Sequence, residues 1–153
     1  MAKCPTCGAA RLVAGECDER VEVAGVTFRA TVPCERCKAC GESLVSSEVL
    51  GRFELTVAAE LARIGRRTGP ALRYMRKAMG YGSAEIAGLL GVAPETFSRW
   101  ETGQRPPDAS VFALVGRLVA DRLVGHDDTA AMLRGIASPR VPSRPVRVRV
   151  AAA

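Results

Sequence analysis

Six cysteines, Cys4, Cys7, Cys17, Cys34, Cys37 and Cys40, fall within the first forty residues, and the remaining 113 residues contain none. Four of them form two short pairs, C-P-T-C-G over 4–8 and C-K-A-C-G over 37–41. Two residues between cysteines let both sulfurs turn toward one point, and the glycine that follows relieves a crowded turn where amides approach the sulfurs. Two such pairs supply four thiolates, the closed shell of a structural zinc with Zn–S of about 2.3 Å and no open position for water. Cys34–Cys37 has the same gap and competes for the second pair, but only Cys40 is followed by a glycine, Gly41, as Cys7 is by Gly8. The expected ligands are therefore Cys4, Cys7, Cys37 and Cys40, with one Zn2+ per chain and with Cys17 and Cys34 as free thiols. No export leader and no apolar run of roughly 18 residues stands out, so clustered thiols point to metal in a reducing, cytoplasmic setting rather than to disulfides or a membrane.

A second chemistry lies in T-F-S-R-W-E-T-G-Q-R-P-P over 96–107. Phe97 and Trp100 stand three apart, so a helix there buries its aromatics on one side and leaves Glu95, Thr96, Ser98 and Arg99 on the other. The guanidinium fork of Arg99 matches guanine O6 and N7, and serves a phosphate almost as well. Glu95 can accept from cytosine N4, or simply be a carboxylate favoured by a helix N-terminus. Upstream, Arg76 and Lys77 share a helix with Arg73 and join Arg105 as a set of phosphate contacts, and Ser83 opens the helix between. Glu101 suits an ion pair with an earlier basic residue better than catalysis.

These groups need elements to hold them. Between the cysteine pairs, Arg20–Val23 and Val26–Val32 alternate around Ala24–Gly25, an antiparallel hairpin that Pro33 is expected to end. Its aliphatic side chains are too few for a core, so metal must supply much of the folding energy, about 10–16 kcal/mol in small zinc domains. Gly41–Arg52 reads as a connector that Ser46 or Ser47 can cap, ahead of a helix over Phe53–Ile64. Shorter helices are predicted over Ala71–Met79, Ser83–Leu90 and Pro94–Thr102, punctuated by Pro70, Gly91, Pro94 and Gly103. Two short helices joined by a glycine-containing turn, the second with polar residues opposite its aromatics, is the pattern of a helix-turn-helix. Asp108 can cap a helix over Ala109–Leu123, and Asp127 or Asp128 one over Thr129–Ala137. The stretch from Pro139 reads as a disordered basic arm, with an edge strand as the alternative.

The expected divisions are a zinc-binding module over 1–43, a connector and helix over 44–67, a helical bundle over 68–137 and a basic tail over 138–153. Net charge is +6, and residues 66–105 carry seven basic side chains against three acidic ones. The first forty residues carry six bases and five acids, and four thiolates around a divalent zinc would take that module to about −1. Attraction for a polyanion thus belongs to the helices, although basic surfaces also serve solubility. A thiol or zinc enzyme is disfavoured, because the sole histidine, His126, is remote in sequence from the cysteines and no nucleotide-binding loop is present. A protein-interaction adaptor without specific DNA binding is the main rival to a DNA-binding regulator.

The sequence C-P-x-C-G, then V-P (Val32–Pro33) and C-K-A-C-G-E (Cys37–Glu42), T-G-x-x-L-R-x-x-R-K (Thr68–Lys77) and A-E-I-A-G-L-L-G-V-A-P-E-T-F-S-R-W-E-T-G (Ala84–Gly103) resembles the MqsA/YgiT-type family. That resemblance implies an α+β chain: a small N-terminal zinc finger fused to an all-α, lambda-repressor-like helix-turn-helix bundle of the Cro/cI (Xre) type. It implies a dimeric repressor on double-stranded DNA with inverted half-sites, often the antitoxin of a type II pair whose zinc module holds a toxin protein. Carried over by position, Cys4, Cys7, Cys37 and Cys40 would hold the zinc and Arg99 would read a base. The best-known member has an asparagine where Glu95 stands. Gly82–Ser83 and Ala93 also replace the usual serine caps and phosphate-contacting glutamine of such helices.

Overall fold

Valines and Phe28 alternating with charged residues do form a hairpin, but a longer one than the alternation suggests. In the computed structural model, which describes residues 2–150, β1 (Leu12–Val23) pairs antiparallel with β2 (Val26–Cys37), and a two-residue β3 (Ser43–Leu44) adds to the far side of β2. Ala24 and Gly25 both have positive φ, 53° and 75°, as a two-residue hairpin turn that follows the strand twist requires. Pro33, expected to end the strand, lies within it opposite Glu16. Counted out from the closing pair Val23–Val26, Glu16–Pro33 is a non-hydrogen-bonded position, so the proline nitrogen faces away from β1 and no ladder bond is lost.

The longer strand also corrects the expected state of two cysteines. Cys17 and Cys34 are not free thiols but a disulfide, with Cα atoms 5.9 Å apart. Extending β2 through Cys34 places it two positions along from Val32, the partner of Cys17, with both side chains on the buried face. A strand ending at Val32 leaves that juxtaposition invisible.

Six helices follow: α1 (Ser47–Ile64), α2 (Gly69–Ala78), α3 (Ser83–Leu89), α4 (Pro94–Glu101), α5 (Ala109–Leu123) and α6 (Asp128–Ala137). The described chain is thus α+β. The helix α1 begins six residues before the expected Phe53, because Ser46 caps it by accepting the Val49 amide at 3.3 Å. Gly51 inside it costs about 1 kcal/mol against alanine, which is why the stretch reads as a connector. It runs beside β2: Val45, Ser46 and Val49 share a cleft with Pro33, Cys34 and Glu35, and the Arg66 guanidinium just past its end lies beside the Gly25 turn.

One apolar cluster holds the helices. Leu61 of α1, Leu72 and Met75 of α2, Ile86 of α3, Phe97 and Trp100 of α4 and Val115 and Val119 of α5 meet there, and Val21, Val23 and Phe28 from the turn end of the hairpin join them. The hairpin, roughly 36 Å long at about 3.3 Å per residue, therefore has one end in the helical core and the other at the cysteine pairs. Gly69 opens α2 hard against α4: a Cβ there would come within 2.4 Å of the Trp100 carbonyl oxygen.

Two buried carboxylates finish the packing. Glu101 pairs with Arg76 at 2.6 Å, and Arg76 also donates to the Tyr81 carbonyl at 2.8 Å. Asp121 of α5 accepts the Thr129 amide at 3.0 Å and its hydroxyl at 2.5 Å, while Arg117 lies 2.9 Å from its other oxygen. Asp121 thereby caps α6 from the preceding helix, in place of the expected Asp127 or Asp128, neither of which makes a capping bond.

Removing one partner of a buried pair strands the other, so Glu101→Ala is expected to destabilise the helical core by about 3–5 kcal/mol, measured from urea unfolding. A loss under about 1 kcal/mol would instead match a solvent-screened pair. The bonds from the Thr129 hydroxyl and amide, with Arg117, hold the Asp121 carboxyl below its ordinary value of 3.8 against the opposing effect of burial. A carboxyl lowered on folding stabilises fully above its unfolded value and loses that contribution as pH falls through the folded one. The stability gap between wild type and Asp121→Asn should therefore be constant above about pH 5 and shrink in more acid solution, as read by urea midpoints across pH.

Candidate functional site

The two cysteine pairs fold into matching loops. Gly8 and Gly41, at φ 72° and 77°, each turn their amide back to the carbonyl of the leading cysteine, Cys4 or Cys37, at 2.8 Å. The amide of each leading cysteine in turn donates five residues ahead, Cys4 to the Ala9 carbonyl and Cys37 to the Glu42 carbonyl. The open end of the β1–β2 ladder, where Leu12 faces Cys37, brings the loops together.

All four sulfurs lie within 4.8 Å of one another, with Cys4–Cys40 at 3.7 Å and Cys7–Cys37 at 3.6 Å. Four sulfurs at about 2.3 Å from a tetrahedral zinc stand about 3.8 Å apart, so the set fits that ion in number, type and spacing. Cys34, engaged with Cys17, is not among them. Cys4 and Cys37 are buried, Cys7 and Cys40 exposed.

The loops also prepare the sulfurs for a cation. The amide of Cys7, helped by that of Thr6, draws the Cys4 thiol below its ordinary value against the cost of burial. The amides of Cys40 and Ala39 bring Cys37 down to about 7. At Cys40 the Glu42 amide favours the thiolate, but the neighbouring sulfurs, Cys7 foremost, and burial outweigh it and push the thiol up to about 12. Four thiolates packed this closely repel, and a divalent cation is what lets all of them ionise together. Zinc held by Cys4, Cys7, Cys37 and Cys40 would have no position left for water, which makes its role structural.

The second candidate surface is the outer side of α4. Phe97 is fully buried and Trp100 nearly so, their rings edge to face at 6.1 Å. Glu95, Ser98 and Arg99 are consequently exposed and Thr96 half-buried. Leu90–Ala93 joins α3 to α4, with Gly91 at φ 67° and the Val92 amide bonded back to the Ala87 carbonyl at 2.9 Å. Neither helix has a side-chain cap, although the Glu85 carboxylate accepts the Gly82 amide at 3.1 Å. Arg105 is exposed in the loop after α4, its amide bonded to the Arg99 carbonyl, and Lys77 is exposed on α2.

Two residues expected in this set are turned elsewhere. Arg76 does not face outward: it is 8% exposed, because the Glu101 carboxylate and the Tyr81 carbonyl take its donors into the α2–α4 junction. Ser83 is half-buried and donates to the same carboxylate at 3.4 Å.

Residues 2–123 match a family described as the antitoxin component of a bacterial toxin–antitoxin system, MqsA. The chain belongs to that family. No curated protein and no solved structure matches it. The matched stretch takes in the four-cysteine cluster and closes at the last residue of α5, so α6 and the basic stretch after it lie beyond the part this antitoxin family defines. No helix among the described residues is long and apolar enough to cross a membrane.

What sequence reasoning missed here are the contacts that seat α4. The close approach at Gly69 has no signal of its own in the chain, since a glycine after Thr68 reads only as helix punctuation. Arg76 could have been found from its spacing: it follows Leu72 by four and Met75 by one, on the edge of the apolar stripe.

Purified protein is expected to carry one zinc per chain, and Cys4→Ser or a strong chelator should unfold the two cysteine loops and the open end of the hairpin (2–16 and 35–44) while the helices and the turn end packed on them survive. Metal analysis combined with an amide spectrum checks this, and a metal-free protein with unshifted hairpin amides would contradict it.

Proposed function

We propose that this antitoxin-family chain is a sequence-specific transcriptional repressor, with α3 and α4 as a Cro/cI-type helix-turn-helix and α4 as the helix offered to the major groove. The observation that carries this is the division of α4 by its own aromatics. Phe97 and Trp100 lock one side into the core, so Arg99, Glu95 and Ser98 stand on the free side. A recognition helix needs such rigidity, because a bidentate arginine contact discriminates only when its fork is held at the right depth.

In this reading Arg99 reads a guanine edge, Thr96 and Ser98 lie beside it, and Glu95 selects a cytosine amino group or serves the helix N-terminus. Lys77 and Arg105 contact phosphates on either flank. Arg76 and Ser83 act from behind, holding the Glu101 carboxylate rather than touching DNA. Two copies on an inverted repeat would set their α4 helices about 34–36 Å apart, one turn of duplex. Exposed Val124, Met132 and Ile136 offer apolar surface to a second copy. Membership in an antitoxin family implies a toxin partner, and the zinc module, at the far end of the hairpin from the helical core, is the surface proposed to hold it. Such a repressor works at the nucleoid.

The test is binding to the duplex directly upstream of the gene against a scrambled duplex of the same composition. Arg99→Ala is expected to cost about 1–3 kcal/mol of discrimination between them, and Lys77→Ala or Arg105→Ala to weaken both equally and reduce the salt slope by about one. An Arg99→Ala protein with undiminished sequence preference would remove Arg99 from its reading role. Equal affinity of the wild type for both duplexes would leave an interaction adaptor instead.

A further inference from the structure

Residues 138–150, the stretch after α6, contain Arg140, Arg144, Arg147 and Arg149 and no acidic residue. Every residue there is exposed, and from Pro139 onward the backbone is in neither helix nor strand. Pro139, Pro142 and Pro145 recur at every third position. Each lacks an amide donor and holds the residue before it in extended backbone, so helix is excluded and a sheet ladder interrupted. Extended at about 3.1 Å per residue, 139–150 reaches about 37 Å, close to one turn of duplex DNA.

The place where this stretch begins is set by the fold. Leu133, Arg134 and Ala137, in the last turns of α6, line a groove with Tyr81 just before α3 and with Glu85, Gly88 and Leu89 on it. Asp121 pins the start of α6, and Arg134 pairs with Asp127. Helix α3 in turn packs directly on α4. The four arginines are therefore tethered one helix away from the face that carries Arg99, and among the described residues none of them is in an ion pair.

We propose that residues 139–150 are a basic arm that follows the phosphate backbone of the duplex on which α4 docks, adding affinity without sequence preference. This rests on the repressor reading for where the duplex lies. The arginines displace condensed counterions from the phosphates, so each contributes about 0.9 to the steepness with which affinity falls with salt.

The experiment compares the full-length wild type with the variant R140Q/R144Q/R147Q/R149Q on the upstream duplex and its scrambled counterpart. The slope of log K against log salt should flatten by about 3–4 per chain in the variant. Between about 50 and 200 mM salt the wild type should then lose about 100-fold more affinity than the variant. The ratio between the two duplexes should not change, and the melting temperature should not either, since these side chains touch nothing in the core. An unchanged slope overturns the arm. So does a loss confined to anionic lipid vesicles, which would assign the arginines to a membrane surface. Wild-type binding with an arm-dependent slope but no preference for the upstream duplex would sink the repressor reading and leave the arm standing, whereas no binding to either duplex at low salt sinks both.

Discussion

The orientation of α4 rests on a buried charge pair. Glu101 at the last turn of α4 and Arg76 on α2 lie 2.6 Å apart, both almost wholly out of water. Ser83 of α3 donates to the same carboxylate, so three helices share one anion. Such a pair adds little net stability over apolar packing, but it admits few geometries, since either group misplaced is left charged and dry. Phe97 and Trp100 set which side of α4 meets the core. The carboxylate and the tight crossing at Gly69 secure that orientation, and together with the aromatics they keep Arg99 outward.

The hairpin extends the same logic over distance. Its turn end is part of the helical core through Val21, Val23 and Phe28, while its open end has almost no apolar support. That end is instead gathered by four sulfurs on two matching loops and by the Cys17–Cys34 bridge further along the ladder. The two halves of the molecule are therefore built for different kinds of support: apolar burial around Leu61, Met75 and Phe97, and a four-sulfur cluster around Cys4 and Cys37 that could hold a metal ion. Removing metal should leave the first intact, because no helix depends on the cysteine loops for its core.

Charge is divided along the same line. With four thiolates around a divalent ion the cysteine module would be slightly negative, and the cations gather on the helices and beyond α6. Two residues expected on the outward face are turned away by the fold, the cation Arg76 by its pairing and the neutral Ser83 by its hydrogen bond. What remains exposed near α4 is a smaller set, Arg99, Arg105 and Lys77, and the arginines after α6 bear on how such a set could hold a polyanion.

By itself the sequence determined whatever depends on neighbours in the chain. The two C-x-x-C-G loops, the Ala24–Gly25 turn, the caps at Ser46 and Asp108 and the aromatic side of α4 are all local, because spacing and backbone preference act over a few residues. The extent of β2 past Pro33, the Cys17–Cys34 bridge and the Asp121 cap on α6 were decided by the tertiary structure alone. In each of these a local preference is outweighed by a partner 8 or 17 residues away: a ladder that leaves the proline nitrogen free, a strand that brings a second sulfur alongside, a carboxylate reaching from another helix. Arg76 shows the difference most plainly, since a basic residue on a helix is solvated by default and only the arrival of Glu101, 25 residues on, makes its burial tolerable.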